Sequence, residues 1–215
     1  MSKIILDLCG GTGAWSRTYV EAGYDVRVIT VPDNDVTTYK LPSEPIYGIL
    51  AAPPCTQFSF ARTNAKTPRD LHGGMTIVKA CLDLIWEAQT RYKSDQQKYP
   101  PLKFWALENP YYGWLRWFLG KPAFVFDPWE FGDAYKKRTA LWGHFSEPIK
   151  TVKNIMEVMS DEQIEKHKTN SQTLPKFDYM KSKDIHPDKY GVLDRKARRS
   201  ITPKGFAEAF YKVNK

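Results

Sequence analysis

Four short apolar runs limit what this chain can fold into. KIILDL (3–8), DVRVIT (25–30), IYGILAA (46–52) and LKFWALE (102–108) are rich in Ile, Val and Leu, and stretches of helix length lie between them. Runs of this length, bounded by Gly and Pro, read as strands buried in a sheet. AFVF (123–126) and TALWGHF (139–145) extend the series. Helical spacing fills the gaps. AWSRTYVEAGY (14–24) is one helix, closed by Gly23. MTIVKACLDLIWEAQTRY (75–92) is another, after Gly73-Gly74, and sets Ile77, Cys81, Leu84, Ile85 and Ala88 on one face. Strands alternating with helices predict an α/β fold: a doubly wound, Rossmann-like sheet with helices on both faces.

The chain has 215 residues, which suits one domain with a small appendage. The strand and helix pattern ends near residue 145, so residues 1–145 form the expected core. Residues 146–200 hold Pro148, Pro175 and Pro187 and few long apolar runs; DEQIEKHK is their one short helix, and the rest reads as irregular and basic. Residues 201–215 return to helix, with Thr202 as N-cap, Pro203 at the first position and Phe206, Phe210 and Val213 on the face that packs on the core.

No apolar run approaches the roughly 20 residues of a membrane span. MSKIILDLCGG carries no small-residue cleavage site, so a secretory signal is not expected. Cys9, Cys55 and Cys81 are odd in number and widely spaced. They read as reduced thiols of a cytoplasmic protein, not as a disulfide framework or a zinc site. Net charge is +8, and residues 151–215 contribute +5 of it, with 14 Lys/Arg against 9 Asp/Glu. The cluster Arg195, Lys196, Arg198, Arg199 and Lys204 suits a nucleic-acid partner, and equally a solvated surface.

Ligands of open α/β sheets bind at the carboxyl ends of the strands. Three unusual sequences stand there: Asp7-Leu8-Cys9-Gly10-Gly11-Thr12-Gly13, Pro53-Pro54-Cys55 and Glu108-Asn109-Pro110. Glycines let a ligand approach the backbone, and the next helix offers free amides. Taken alone, such a turn is as often structural, and it is neither G-x-G-x-x-G nor a P-loop. Cys55 alone reads as a small buried residue or as a nucleophile in a tuned site. Glu108 follows the apolar FWAL, where desolvation can hold a proton on the carboxyl near neutral pH.

Together these segments resemble the cytosine carbon-5 methyltransferase family, and its compact phage-type members in particular. LDLCGGTGAWS is similar to the S-adenosylmethionine loop, PPCTQFS to the catalytic loop and WALENP to the segment with the active-site glutamate. FGDAYKKRTALWG resembles the arginine-containing strand entry, and RRSITPKGFAEAF the closing motifs. The resemblance implies S-adenosylmethionine as cofactor, DNA as partner, and a cytoplasmic location in a bacterial or phage-infected cell. It implies that Cys55 adds to carbon 6 of cytosine, that Glu108 hydrogen-bonds or protonates ring nitrogen 3, and that Arg138 belongs with them. The cofactor then lies against Asp7, Cys9, Gly10, Gly11, Thr12, Gly13, Asp33, Asp35 and Pro53. The substrate side takes Pro54, Gln57, Ser59, Asn109, Pro110, Lys137, Arg198 and Arg199.

The sequence departs from the family in defined places. Cys9 stands where a phenylalanine is common. Thr30 stands where an acidic residue usually ends the second strand, leaving Asp33 as the nearest carboxylate. Lys137 and Thr139 flank Arg138 in place of an arginine-x-arginine pair. Residues 146–198 are too short for the family's target-recognition domain. Relaxed or short sequence specificity is therefore expected, or a protein partner that supplies recognition; the chain itself reads as a monomer without metal. Two rivals remain. Asn109-Pro110-Tyr111-Tyr112 faintly resembles the motif of amino-group methyltransferases, and a catalytically silent nucleic-acid-binding protein would keep the same fold.

Overall fold

A computed structural model describes residues 3–63, 65–170 and 173–215. Its centre is a six-stranded mixed sheet in the order β2-β1-β3-β4-β6-β5. The strands are β1 Ile4–Leu8, β2 Asp25–Ile29, β3 Ile46–Ala51, β4 Phe104–Pro110, β5 Phe124–Phe126 and β6 Thr139–His144. β1 to β4 are parallel, and β6 runs antiparallel to both β4 and β5. The link from β5 to β6 holds one 3₁₀ turn, Pro128–Phe131, which is too little for the crossover a parallel return requires. The helices are α1 Arg17–Glu21, α2 Leu71–Ser94, α3 Leu115–Leu119, α4 Asp161–Asn170, α5 Arg195–Ser200 and α6 Lys204–Asn214.

Alternation along the strands divides the core in two. Leu6, Leu8, Ile49, Ala51, Leu107 and Ala140 face one way and pack with Val78, Cys81, Leu84 and Ile85 of α2. Ile5, Leu50, Phe104, Ala106 and Leu141 face the other way and pack with Trp15, Tyr19 and the α6 residues Phe206 and Phe210. Successive strand side chains point to opposite faces, so each apolar run serves both layers. Asp7 and Glu108 continue the second parity, two residues beyond Ile5 and Ala106. Both acids therefore point to the α1/α6 side.

α6 docks through aromatic contacts. Trp15 meets Phe206 and Phe210 at ring-centroid distances of 5.8 and 5.4 Å, and Phe206 stacks on Phe126 at 4.0 Å. Complete burial of one such ring is worth about 1.5–3 kcal/mol. The close approach requires Gly205, because a Cβ there would lie 1.9 Å from the Phe131 carbonyl oxygen.

Four expectations are corrected. α2 begins at Leu71, not after the glycine pair, because the Asp70 side chain accepts the Gly73 N–H at 2.8 Å and caps the first turn. Val78 rather than Ile77 is fully buried on its inner face. α1 covers only Arg17–Glu21, since Ser16 turns its side chain to Asp7. Thr202 is not the N-cap of α6. Proline disfavours helical backbone in the residue before it, so Pro203 takes the cap position, and its carbonyl accepts the Ala207 N–H at 3.0 Å.

Residues 146–200 are more ordered than their composition suggests. α5, capped by Asp194, spans a sequence read as irregular. Leu174, Phe177 and Ile185 are buried. Lys136 N–H donates to Pro175 O at 2.9 Å and Phe177 N–H to Lys136 O at 2.8 Å, which ties the segment to the entry of β6.

Gly205→Ala should lower unfolding free energy by about 1–3 kcal/mol, the usual cost of overpacking a tight contact. Urea denaturation measures it, and an unchanged midpoint would show that α6 does not seat against Phe131.

Candidate active site at the carboxyl ends of β1, β3 and β4

β1 is followed in sequence by β2 on one side, while β3 lies on its other side. This reversal opens a crevice between the loops that leave β1 and β3. β4 borders β3, so its carboxyl end faces the same crevice.

The β1 loop is built around a buried acid. Asp7 is fully buried; its Oδ2 accepts the Ser16 hydroxyl at 2.6 Å, while Oδ1 has no partner. Burial raises its pKa to about 6, against the lowering effect of Ser16. Gly10 lies directly over this carboxyl: a Cβ there would come within 2.4 Å of Asp7 Cγ. The chain turns through positive φ at Cys9 (56°), Gly11 (56°) and Gly13 (66°). Thr12 is exposed at the loop's tip. Cys9 Sγ stands 4.0 Å from Cys81 Sγ, and this contact lowers the Cys9 pKa.

The β3 exit carries the thiol. Pro53 is buried and Pro54 exposed, and Cys55 opens a 3₁₀ turn, Cys55–Gln57. Neither proline has an N–H, so the strand ladder ends here. The freed Pro53 carbonyl accepts Asn109 Nδ2 at 2.9 Å, a buried bond that joins the ends of β3 and β4. Asn109 Oδ1 is buried without a partner.

Glu108 faces a small cavity lined also by Phe126, Lys137, Thr139, Ser200, Thr202, Pro203 and Phe206. Burial pushes its carboxyl up, and Lys137 partly opposes the shift. The Cys55 thiol is pushed up by burial and then by Glu108, with Lys137 and Arg199 pulling it down. Cys55 and Glu108 are thus close enough to sense each other and share one cation. Both shifts are toward tighter hold on the proton than the same groups have in solvent. The Asn109–Pro53 bond thus sets a thiol at the β3 exit beside the end of β4, where a carboxyl and a lysine line one cavity, an arrangement that suits nucleophilic addition with general-acid assistance.

Other expected residues have different settings. Pro110 ends β4 opposite Thr139. Gln57 Oε1 accepts from Arg62 and from Asp70 N–H, and Ser59 Oγ accepts from Ala61 N–H, so both brace the loop after Cys55. Asp35 accepts the Thr37 N–H and hydroxyl, which lower its pKa, and Asp33 is exposed on the preceding turn. Arg138 pairs with Asp127 at 3.2 Å and does not line the Glu108 cavity. Lys137 supplies the cation instead, held toward Arg199 O at 3.3 Å.

Arg198 is corrected. It is buried, donates to the carbonyls of Leu193, Ser182 and Ile185, and lies 4.9 Å from the Tyr190 ring. A guanidinium enclosed this way braces residues 182–198 and offers nothing to a phosphate. Arg199 is partly exposed but pairs with Asp178 at 2.7 Å.

Ser16, Ser200 and Thr202 were not anticipated as site residues. Ser16 stands among polar neighbours, Arg17 and Thr18, and nothing in the sequence marks it. Ser200 and Thr202 follow a basic run whose direction the sequence does not reveal. They reach the site because α5 delivers them there: Ser200 Oγ lies 3.7 Å from where a Gly11 Cβ would stand.

No protein-family model and no curated protein sequence matches this chain. Among the described residues, no group of His, Cys, Asp and Glu could hold a metal ion, and no helix is long and apolar enough to cross a membrane.

Asp7 yields a pH test. Its folded pKa lies above the ordinary aspartate value, so its contribution is fully favourable below about pH 4 and is lost as pH rises through about 6. Asp7→Asn should therefore be more stable than the parent at pH 7.5, by up to about 3 kcal/mol, with the gain fading toward pH 4.5. Thermal melts across this range check it; a less stable variant at pH 7.5 would show that ionised Asp7 is compensated in the fold.

Proposed function

We propose that this protein transfers a methyl group from S-adenosylmethionine to carbon 5 of cytosine in DNA. The observation that carries the reading is the buried Asn109–Pro53 bond, which holds the β3 exit bearing Cys55 against the end of β4, where Glu108 and Lys137 line one cavity. The loop after β1 fits such a cofactor. Asp7 Oδ1 is a buried acceptor without a partner, and Gly11 and Gly13, both at positive φ, leave the loop above it bare of side chains at their positions. Asp7, Gly10, Gly11 and Gly13 would hold the cofactor, with Cys9 and Pro53 beside them and Asp33 and Asp35 at the far rim. When bound, S-adenosylmethionine supplies an electrophilic methyl group.

Carbon 5 of cytosine is a weak nucleophile. Cys55 Sγ forms a bond to carbon 6 and gives up its proton to water, and electron density moves onto the ring. Glu108, whose hold on a proton burial strengthens, donates to ring nitrogen 3 and stabilises that density. Lys137 faces both groups; its charge favours the thiolate as it forms. Carbon 5 becomes enamine-like and takes the methyl group. Water takes the proton from carbon 5, the C5–C6 double bond reforms, and the C6–S bond breaks to release Cys55 as thiolate. A base inside a duplex must first leave the stack to reach these residues.

Transfer of labelled methyl groups to oligonucleotides, with identification of the product base, tests the reading. The product should be 5-methylcytosine. Cys55→Ala should abolish transfer while keeping the fold, and Glu108→Gln should slow single-turnover transfer by about 10²–10⁴-fold with little change in cofactor affinity. An amino-methylated base, or transfer that survives Cys55→Ala, would contradict it.

A further inference from the structure

The loop that carries Cys55 does not end in a bare edge. It is stitched to the segment after β4. Phe60 N–H donates to Tyr112 O at 3.0 Å, Trp114 N–H donates to Phe58 O at 3.1 Å, and Ser59 bridges Gly113. The joint surface is aromatic and open. Tyr112 is 58% exposed, Trp117 69%, Phe118 52% and Phe60 39%. Trp117 is stacked on Trp114 through one face, at 6.3 Å between centroids and 20° between planes. Large apolar side chains clustered like this on a surface mark a binding site.

The same surface is positively charged. Arg69 lies 5.0 Å from the Trp114 ring and Arg116 lies 5.1 Å from the Tyr111 ring. Arg62 donates to Gln57 Oε1 and to Thr67 and Pro68 carbonyls, and Arg69 donates to the Gln57 and Ser59 carbonyls. All these acceptors are neutral. Among the described residues, no ion pair involves Arg62, Arg69 or Arg116. Three uncompensated cations interleaved with exposed rings suit a ligand that alternates anionic groups with flat π-faces.

We infer that Tyr112, Trp117 and Phe118, with Arg62, Arg69 and Arg116, form a stacking platform for single-stranded DNA beside the Cys55 crevice. The choice of DNA rests on the function proposed above. A strand laid on the platform stacks unpaired bases on the rings while its phosphates meet the guanidinium groups. Phe60 is five residues from Cys55, so a base entering the crevice and its neighbours on the platform belong to one short stretch of strand. The platform favours a strand whose bases are already unstacked, because a duplex buries the π-faces it would use.

Fluorescence anisotropy tests this with Cys55→Ala protein, a labelled oligothymidylate and a duplex of equal length at one salt concentration. Oligothymidylate contains no cytosine, so the result does not depend on methyl transfer. It should bind at least about tenfold tighter than the duplex, since each stacked base adds an interaction the duplex lacks. Trp117→Ala and Tyr112→Ala should each weaken that binding by about fivefold to a hundredfold, and Trp117→Phe should retain most of it. Equal or tighter duplex binding would overturn the inference. So would affinities indifferent to Trp117 and Tyr112, or a protein that binds no oligonucleotide and self-associates through this face. Tighter binding of oligouridylate would overturn the assignment to DNA. Platform binding without any methyl transfer would count against the proposed chemistry alone.

Discussion

The hydrogen bond from Asn109 Nδ2 to the Pro53 carbonyl is the contact on which the site depends. Pro53 and Pro54 stop the β3 ladder, and the stopped strand leaves a buried carbonyl without a neighbour. Leaving such a group unpaired costs about 1–3 kcal/mol. Asn109 reaches across from β4 and satisfies it, fixing the β3 exit against the strand that carries Glu108. The thiol one residue beyond Pro54 is thereby held in the field of that carboxyl. Without this bond, the turn that carries Cys55 would be free to move away from the end of β4 and Glu108.

Burial then sets the chemistry. Glu108 and Asp7 lie on the same face of the sheet, each placed by strand parity toward α6 and α1. Asp7 is fully buried and Glu108 partly so, among Phe126, Phe206 and Trp15, and both carboxyls hold protons more tightly than they would in solvent. The stacked aromatic contacts of α6 keep that wall in place, and the Ser200–Pro203 segment that precedes the helix closes the Glu108 cavity. The C-terminal residues are therefore part of the site, although they are nearly 100 residues from Glu108 in the chain.

Much of this was legible in the sequence, because chemistry-bearing residues interrupt apolar runs at the strand ends. Asp7, Pro53, Cys55, Glu108 and Asn109 stand where a buried strand has no reason to carry them unless they are used. All six strands could be read from the same apolar runs. What stayed hidden was direction. A basic run shows its charge but not which way each side chain turns: Arg198 folds inward onto carbonyls, Lys137 turns toward Glu108, and Arg138 turns away to Asp127. α5 was hidden for a related reason, since its Asp194 cap is a signal that a charged, proline-flanked segment obscures. Nothing in the sequence pattern tells that Tyr112, Trp117 and Phe118 face solvent; the fold decides it.

A covalent trap tests the central claim most directly. An oligonucleotide carrying 5-fluorocytosine is incubated with the protein and S-adenosylmethionine, then the complex is denatured and its peptides are identified by mass spectrometry. Fluorine at carbon 5 cannot leave as a proton does, so addition of the thiol to carbon 6 becomes permanent once the methyl group is in place. The account predicts a denaturation-resistant adduct on the peptide containing Cys55, and none in Cys55→Ala protein. An adduct on Cys9 or Cys81, or methyl transfer to ordinary cytosine with no adduct on the analogue, would contradict it.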